Sequence, residues 1–261
     1  MVTNNFEGGS TGVAISEVNA GGVSGDAPSD IARTANVTFN FDTSIAAHGV
    51  LSAKLNATQN GAGYIQWNIP SGTAVQARVA MRTYVNVSQA APSSFFIFRR
   101  PEATDAGNAA LLAINTQNIL YVSGYSGGIL SPLTTTMPLN TWVRFELAIT
   151  SGASSTSGTL QARAYTGDST VAFWSYDNFA CDVGTSGIES VRLGRLSSSQ
   201  PPFTINYDDF AMERLASGFI GPIPGAPVDP GVTGVTQPWQ QLYVGGRRAK
   251  AAYLNGERIW L

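Results

Sequence analysis

Between Trp142 and Ile149 the apolar side chains fall on alternate positions, Val143, Phe145, Leu147 and Ile149, with Arg144 and Glu146 between them. A period of two cannot gather apolar groups on one stripe of a helix, but it places all four on one side of an extended strand. A strand that is apolar on one side needs a second layer to cover it. The stretch therefore predicts a half-buried strand in a structure of two packed sheets.

The same pattern recurs along the chain. Strand-like pieces run from 36–41, 50–56, 64–69, 75–87, 95–99 and 110–115 through 119–122, 142–149, 160–165, 171–176, 189–193 and 204–213. Turn-forming clusters such as Asn60-Gly61-Ala62-Gly63, Ser151-Gly152 and Thr166-Gly167-Asp168 separate them. About a dozen strands with no helical period between them predict an all-β fold of antiparallel sheets, a sandwich rather than a parallel α/β sheet.

Composition narrows the setting. Of 261 residues, 43% are hydrophobic and only 12% charged, so Ser, Thr, Asn and Gln must do most of the solvating. Such surfaces are common in extracellular binding modules and in virion proteins. A net charge of -2, with no basic cluster larger than Arg247-Arg248 and Lys250, argues against nucleic acid as a partner. Cys181 is the single cysteine, so no intrachain disulfide supports the fold, and it reads as a small buried hydrophobe. The first residues lack the basic start and apolar run of a secretory signal, and no segment approaches the roughly 20 apolar residues of a membrane helix. The expectation is a soluble cytoplasmic product that, if it works outside the cell, leaves by a route other than secretion, the release of virus particles by lysis being one.

Three segments follow from the composition shifts: a sandwich over 1–216, a Pro/Gly-rich linker over 217–237, and a C-terminal anchor over 238–261. The linker carries Pro222, Pro224, Pro227 and Pro230. In the anchor, Leu242-Tyr243-Val244-Gly245-Gly246-Arg247-Arg248 is echoed by Ala252-Tyr253-Leu254-Asn255-Gly256-Glu257-Arg258. Gly245-Gly246 and Asn255-Gly256 are two-residue hairpin turns, which predicts a small three-stranded β-meander. So short a piece cannot bury a core alone, so Trp239, Tyr243, Tyr253 and Trp260 are expected to dock on a partner or on the sandwich.

Motifs for catalysis are sparse. His48 is the only histidine, and no G-x-S-x-G elbow, H-E-x-x-H, Cys/His cluster or Walker loop accompanies it. No pair of carboxylates stands two residues apart on one side of a strand in the way that glycoside hydrolysis on one strand would need. The reading is of a protein that is not an enzyme. The acidic residues suggest another role. Glu7 near the start, and Asp208 with Asp209 in the last sandwich strand, would put oxygen ligands side by side for a structural calcium ion if the terminal strands are neighbours. Carbohydrate binding would need aromatic faces held in solvent, and Trp174, Tyr176, Trp67 and Tyr125 are the candidates, although each would serve equally as packing.

Phe6-Glu7-Gly8-Gly9, Trp142 to Leu147, and Ile205-Asn206-Tyr207-Asp208-Asp209-Phe210-Ala211-Met212 resemble the signature positions of concanavalin A-like and laminin G-like jelly rolls and related carbohydrate-binding modules. That resemblance, over about residues 1–216, implies a jelly-roll β-sandwich, with Glu7 and Asp209 as calcium ligands. The E-x-D-x-x-E motif of glucanases of this fold is absent. The tail is similar to the C-terminal ends of structural proteins from tailed bacteriophages, minor tail and decoration proteins in particular. Together these imply a non-enzymatic minor tail protein of a virion that displays a lectin-like sandwich. It would be oligomeric in the particle, in contact with other virion proteins, and able to bind a host-surface glycan. The alternatives are a capsid decoration or head-fibre protein, or a polysaccharide-degrading jelly-roll enzyme.

Overall fold

The structure, a computed structural model, describes residues 1–58, 60–69, 77–88, 93–99, 108–124, 128–154, 156–195, 202–223, 243–244, 247–248, 252–254 and 257–259. No helix occurs among them. The first unit, Met1–Ile223, is a sandwich of two antiparallel sheets.

The larger sheet is built from β1 (Val2–Asn4), β3 (Val37–Asp42), β4 (Ser52–Ala57), β6 (Val79–Val87), β10 (Val143–Thr150), β11 (Gly158–Thr166), β12 (Trp174–Cys181) and β14 (Phe203–Glu213). Its order is β12-β11-β10-β6-β14-β4-β3, with β1 also paired to β14. The smaller sheet runs β2 (Asp30–Arg33), β5 (Gly63–Asn68), β13 (Ser190–Arg195), β7 (Ser93–Arg99), β8 (Asn108–Ile114) and β9 (Leu120–Gly124). The antiparallel sandwich expected from the alternation, a jelly roll as the resemblance implies, is thus what residues 1–223 form.

Alternation also decides what faces inward. Val79, Met81, Val85 and Val87 of β6, and Val143, Phe145, Leu147 and Ile149 of β10, meet Ile65, Trp67, Val191 and Leu193 of the smaller sheet in one core. The intervening residues of β6, β10 and β11 point to the outer face of the larger sheet and line up across the strands by register. One transverse row reads Arg163, Glu146, Arg82, and the next reads Tyr165, Arg144, Tyr84, Asp208. Here β10 departs from expectation. Arg144 and Glu146 are only 1% exposed, so the strand is buried on both faces. The cover is residues 217–223, which the composition had assigned to the linker. They lie over these rows through Gly221 and Ile223, so the compact unit ends at Ile223 instead of residue 216.

A β-bulge in β14 shapes the outer face further. The register against β6 slips between Asp208 and Ala211, and Asp209 takes a left-handed φ of 48°. Strict alternation would turn Asp209 into the apolar core. The extra residue lets both Asp208 and Asp209 serve polar partners, while Phe210 returns to the core and stacks on Trp67 at 4.2 Å.

The second unit, Pro224–Leu261, contains two two-stranded antiparallel ladders among its described residues. They are β15 (Tyr243–Val244) with β16 (Arg247–Arg248), and β17 (Ala252–Leu254) with β18 (Glu257–Ile259). Trp239 and Trp260 lie outside the described residues, as do the side chains of Tyr243 and Tyr253.

Candidate functional site

The loop joining β3 to β4 carries His48, and three segments distant in sequence hold it. Asp208 Oδ2 accepts the amide N–H groups of Ala47 and His48 at 2.8 and 3.2 Å, and Glu7 Oε1 accepts those of Val50 and Leu51 at 2.8 and 2.9 Å. Gly49 sits between these anchors with φ 70°, which favours glycine, and a Cβ there would come within 2.2 Å of Glu7 Oε1 and push that carboxylate aside.

Held in this way, the His48 ring reaches two carboxylates. Nδ1 meets Asp209 Oδ2, and Nε2 lies 2.9 Å from Asp168 Oδ2. A ring that hydrogen-bonds carboxylate oxygens through both nitrogens must carry both protons. Burial works against that charge, but the hydrogen bonds to Asp209 and Asp168 outweigh it and raise the pKa from 6.5 to about 9. Tyr84 donates its hydroxyl to the other oxygen of Asp168 and packs edge-on against the imidazole at 4.8 Å. Burial, then Asp168, pushes the Tyr84 phenol up as well. Burial and the neighbouring Asp209 lift the Asp208 carboxyl to about 8. At neutral pH the His48 ring is therefore cationic, held between the Asp209 and Asp168 carboxylates. The His48 and Asp168 side chains remain 17% and 16% exposed, which leaves the cluster open to solvent at its edge.

This arrangement fixes a sign for pH dependence. His48 has a folded pKa above its unfolded value, so its stabilisation is complete below about 6.5 and is lost as pH rises through about 9. Asp208 acts in the same direction between its ordinary 3.8 and about 8. The melting temperature is expected to decline across this range, and the part of the decline above pH 8 should vanish in His48→Asn. An unchanged decline in that variant would show that the imidazolium is not its source.

Beside the cluster, Arg144 Nε pairs with Glu146 Oε1 at 3.0 Å. Its other nitrogens donate to the carbonyls of Gly167 and Ser169, and its guanidinium lies over the Tyr165 ring at 4.1 Å. On the far side of the same sheet face is a cleft of about 440 Å³ lined by Thr38, Asn40, Asp42, Lys54, Asn56 and Thr204, with Thr11 and Gly12 at its rim. Amide and hydroxyl groups from three adjacent strands thus converge on one open space.

The residues singled out in the sequence fare unevenly. Trp67 is 1% exposed, stacked on Phe210, with its indole N–H donated to the Asp26 carbonyl, so it is a core residue and no sugar platform. Trp174, 6% exposed, also belongs to the core, because alternation in β12 turns it inward. Tyr176 is half-buried against the core, and its hydroxyl accepts from Asn178. Tyr125 lies outside the described residues. Phe179, on edge strand β12 and 66% exposed, is a ring in solvent that the sequence reading passed over.

The residues present do not fit the expected calcium ion. Glu7 spends one oxygen on two backbone N–H groups, and Asp209 faces a cationic imidazole. Among the described residues no group of three or more His, Cys, Asp or Glu side chains is placed to hold a metal.

No protein-family profile and no curated protein matches the sequence. Solved structures do share the fold. The marine PL-14 alginate lyase from Aplysia kurodai is 8% identical, with a TM-score of 0.54 over 72% of this chain and 91% of that one. The cellulose-induced protein Cip1 is 14% identical, with a TM-score of 0.56 over 85% and 99%. The alginate lyase Aly36B, in complex with alginate trisaccharide, is 11% identical, with a TM-score of 0.53 over 82% and 98%. These are likenesses of fold between jelly-roll sandwiches. The expectation that the chain is not an enzyme is overturned to this extent: two of these three neighbours are alginate lyases, so the fold is one that enzymes also use. The missing Ser-His nucleophile and close carboxylate pair bear only on the hydrolytic chemistries that were sought.

Proposed function

We propose that the protein is a polysaccharide-active jelly roll of a virion surface that takes a glycan along the outer face of its larger sheet. The observation that carries this reading is the cleft of Thr38, Asn40, Asp42, Lys54, Asn56 and Thr204, whose amides, hydroxyls and charged pair are chemically suited to sugar hydroxyl groups. The loop carrying His48 begins directly after Asp42, and Tyr84 and Asp208 beside it belong to the outward row, so the His48 cluster and the cleft share one face. The fold shared with the two alginate lyases supports the same reading.

Incubation with a panel of polysaccharides tests it, scoring both new reducing ends and unsaturated uronate products. Binding or turnover that Asn40→Ala and Asn56→Ala together abolish is the expected result. Binding that survives both changes would move the site elsewhere.

The virion setting rests on the low-charge composition and the repeat-bearing tail. In this reading residues 238–261, with Trp239, Tyr243, Tyr253 and Trp260, attach the protein to the particle. Deleting 238–261 is expected to leave the sandwich folded and to remove the protein from purified particles. Normal incorporation of the shortened chain would exclude that role.

A further inference from the structure

The segment 217–223 crosses the outer face where its side chains are most strongly cationic. Gly221 donates its N–H to Glu146 Oε2 at 2.8 Å and accepts from Arg82 Nη1 at 2.9 Å, and the Ile223 N–H reaches the Tyr84 hydroxyl at 3.4 Å. The Phe219 ring lies against two guanidinium groups, 5.7 Å from that of Arg78 and 5.1 Å from that of Arg163. Between the rows that hold these arginines is the row Gln161, Ala148, Ala80, whose two alanines leave room for a flat ring.

Two cations beneath the segment lack a direct carboxylate partner, although Glu146, opposite Arg82 in register, and Asp209 favour the Arg82 charge from beyond ion-pair distance. Arg163 is paired with Asp177 and Arg144 with Glu146, but no carboxylate lies within ion-pair distance of Arg78 or Arg82 among the described residues. Arg82 is buried, and its guanidinium meets only backbone carbonyls, those of Asp209 and Gly221. Arg78 donates one nitrogen to Gln161, and its Nη1 is buried without a partner. Two buried or half-buried cations satisfied by carbonyls, an amide and a phenyl face are poorly compensated compared with a carboxylate partner.

We infer that residues 217–223 are an internal plug in a groove for an anionic polysaccharide, with Phe219 standing where a sugar ring would lie between Arg78 and Arg163. The acidic groups of the glycan meet Arg78 and Arg82 once the plug swings out. The inference rests on the polysaccharide reading above and adds to it the charge of the substrate and a means of control. The plug is held by few interactions: three backbone hydrogen bonds and one ring. No strand runs through 217–223, so displacing it unpairs no described strand. Occlusion lowers apparent affinity by the fraction of time the groove is open, so a change that loosens the plug raises affinity.

The test uses the full chain and Phe219→Ala, titrated with polygalacturonate, dextran sulfate and neutral dextran, alongside amide hydrogen exchange at 219–223. The expected result is a gain of about tenfold in affinity for one or both polyanions in Phe219→Ala, with no gain for dextran. A carboxylate or sulfate preference then identifies the source of the anion. In the unmodified chain, saturating polyanion should speed exchange of the Gly221 and Ile223 amides, a readout that does not depend on the variant. Adding Arg78→Ala to Phe219→Ala should cancel the gain. Binding of polysaccharide with slower or unchanged exchange at 219–223, or an equal gain for dextran, overturns the plug and leaves the polysaccharide reading standing. Absence of binding to any polysaccharide by either protein overturns both.

Discussion

Replacing Glu146 with alanine is expected to destabilise the sandwich by about 3–5 kcal/mol, because it strands the Arg144 guanidinium in a space with almost no water. Two hydrogen bonds are lost together, one from Arg144 and one from the Gly221 amide that closes the cover. Glu146→Gln keeps one acceptor oxygen and turns an amide NH2 toward the other donor, so its cost should be smaller than that of alanine but still measurable. Replacing both members of the pair with apolar residues of similar volume should recover much of the loss, since the desolvation of the two ions disappears with them. Denaturation midpoints of the four proteins measure the series. A loss below about 1 kcal/mol in Glu146→Ala would be the value for a solvated surface pair and would contradict the burial of β10 on its outer face.

Trp67→Ala should be comparably severe, at about 3–5 kcal/mol, but for a different reason. The indole fills the space between the sheets, stacked on Phe210 and edge-on to Phe6 at 6.3 Å, and its removal leaves a cavity where the first and last strands of the unit meet. Equilibrium unfolding in urea gives the loss directly. Trp67→Phe, which retains a ring, separates packing from recognition. It should stay folded and bind glycans as the parent does, since no face of residue 67 reaches solvent. A selective loss of glycan binding in that variant would restore Trp67 as a contact residue.

Strands with a regular pattern were legible, and short or polar edges were not. The alternation in β10 predicted its bounds closely, because four inward residues alternate with residues the core excludes. In contrast β1 and β2, of three and four residues, are too short to show a period, and they exist because β14 and β5 pair with them. The apolar run Val171-Ala172-Phe173 suggested a strand that in fact starts at Trp174, with Val171 in solvent. No local rule distinguishes an apolar loop from an apolar strand there.

The candidate site was harder to read for the same reason at longer range. His48 was weighed only as the partner of a serine nucleophile. The available signal was a lone histidine in a chain with the doublet Asp208-Asp209, but Asp168 and Asp209 lie 120 and 161 residues away from it. Only the strand order brings them to one loop. Glu7 and the Asp208-Asp209 pair were sought as ligands of one ion, and they do serve one object. Glu7 and Asp208 hold the backbone of the His48 loop from opposite ends, while Asp209 takes its ring. The outward side of β10 was misread because alternation says which residues leave the core. It does not say that a later segment returns to cover them.

The position of β14 has a consequence for how the chain is made. It lies between β6 and β4 and also receives β1, yet it is the last strand of its unit to leave the ribosome. Until it arrives, the hydrogen-bonding edges of three earlier strands have no mate. Nascent chains must therefore wait with open borders that invite pairing between copies, and closure of the large sheet should come late and slowly. A pause before β14 has emerged would lengthen the period of greatest aggregation risk, whereas one that comes once residue 213 is clear of the ribosome would let the sandwich close first.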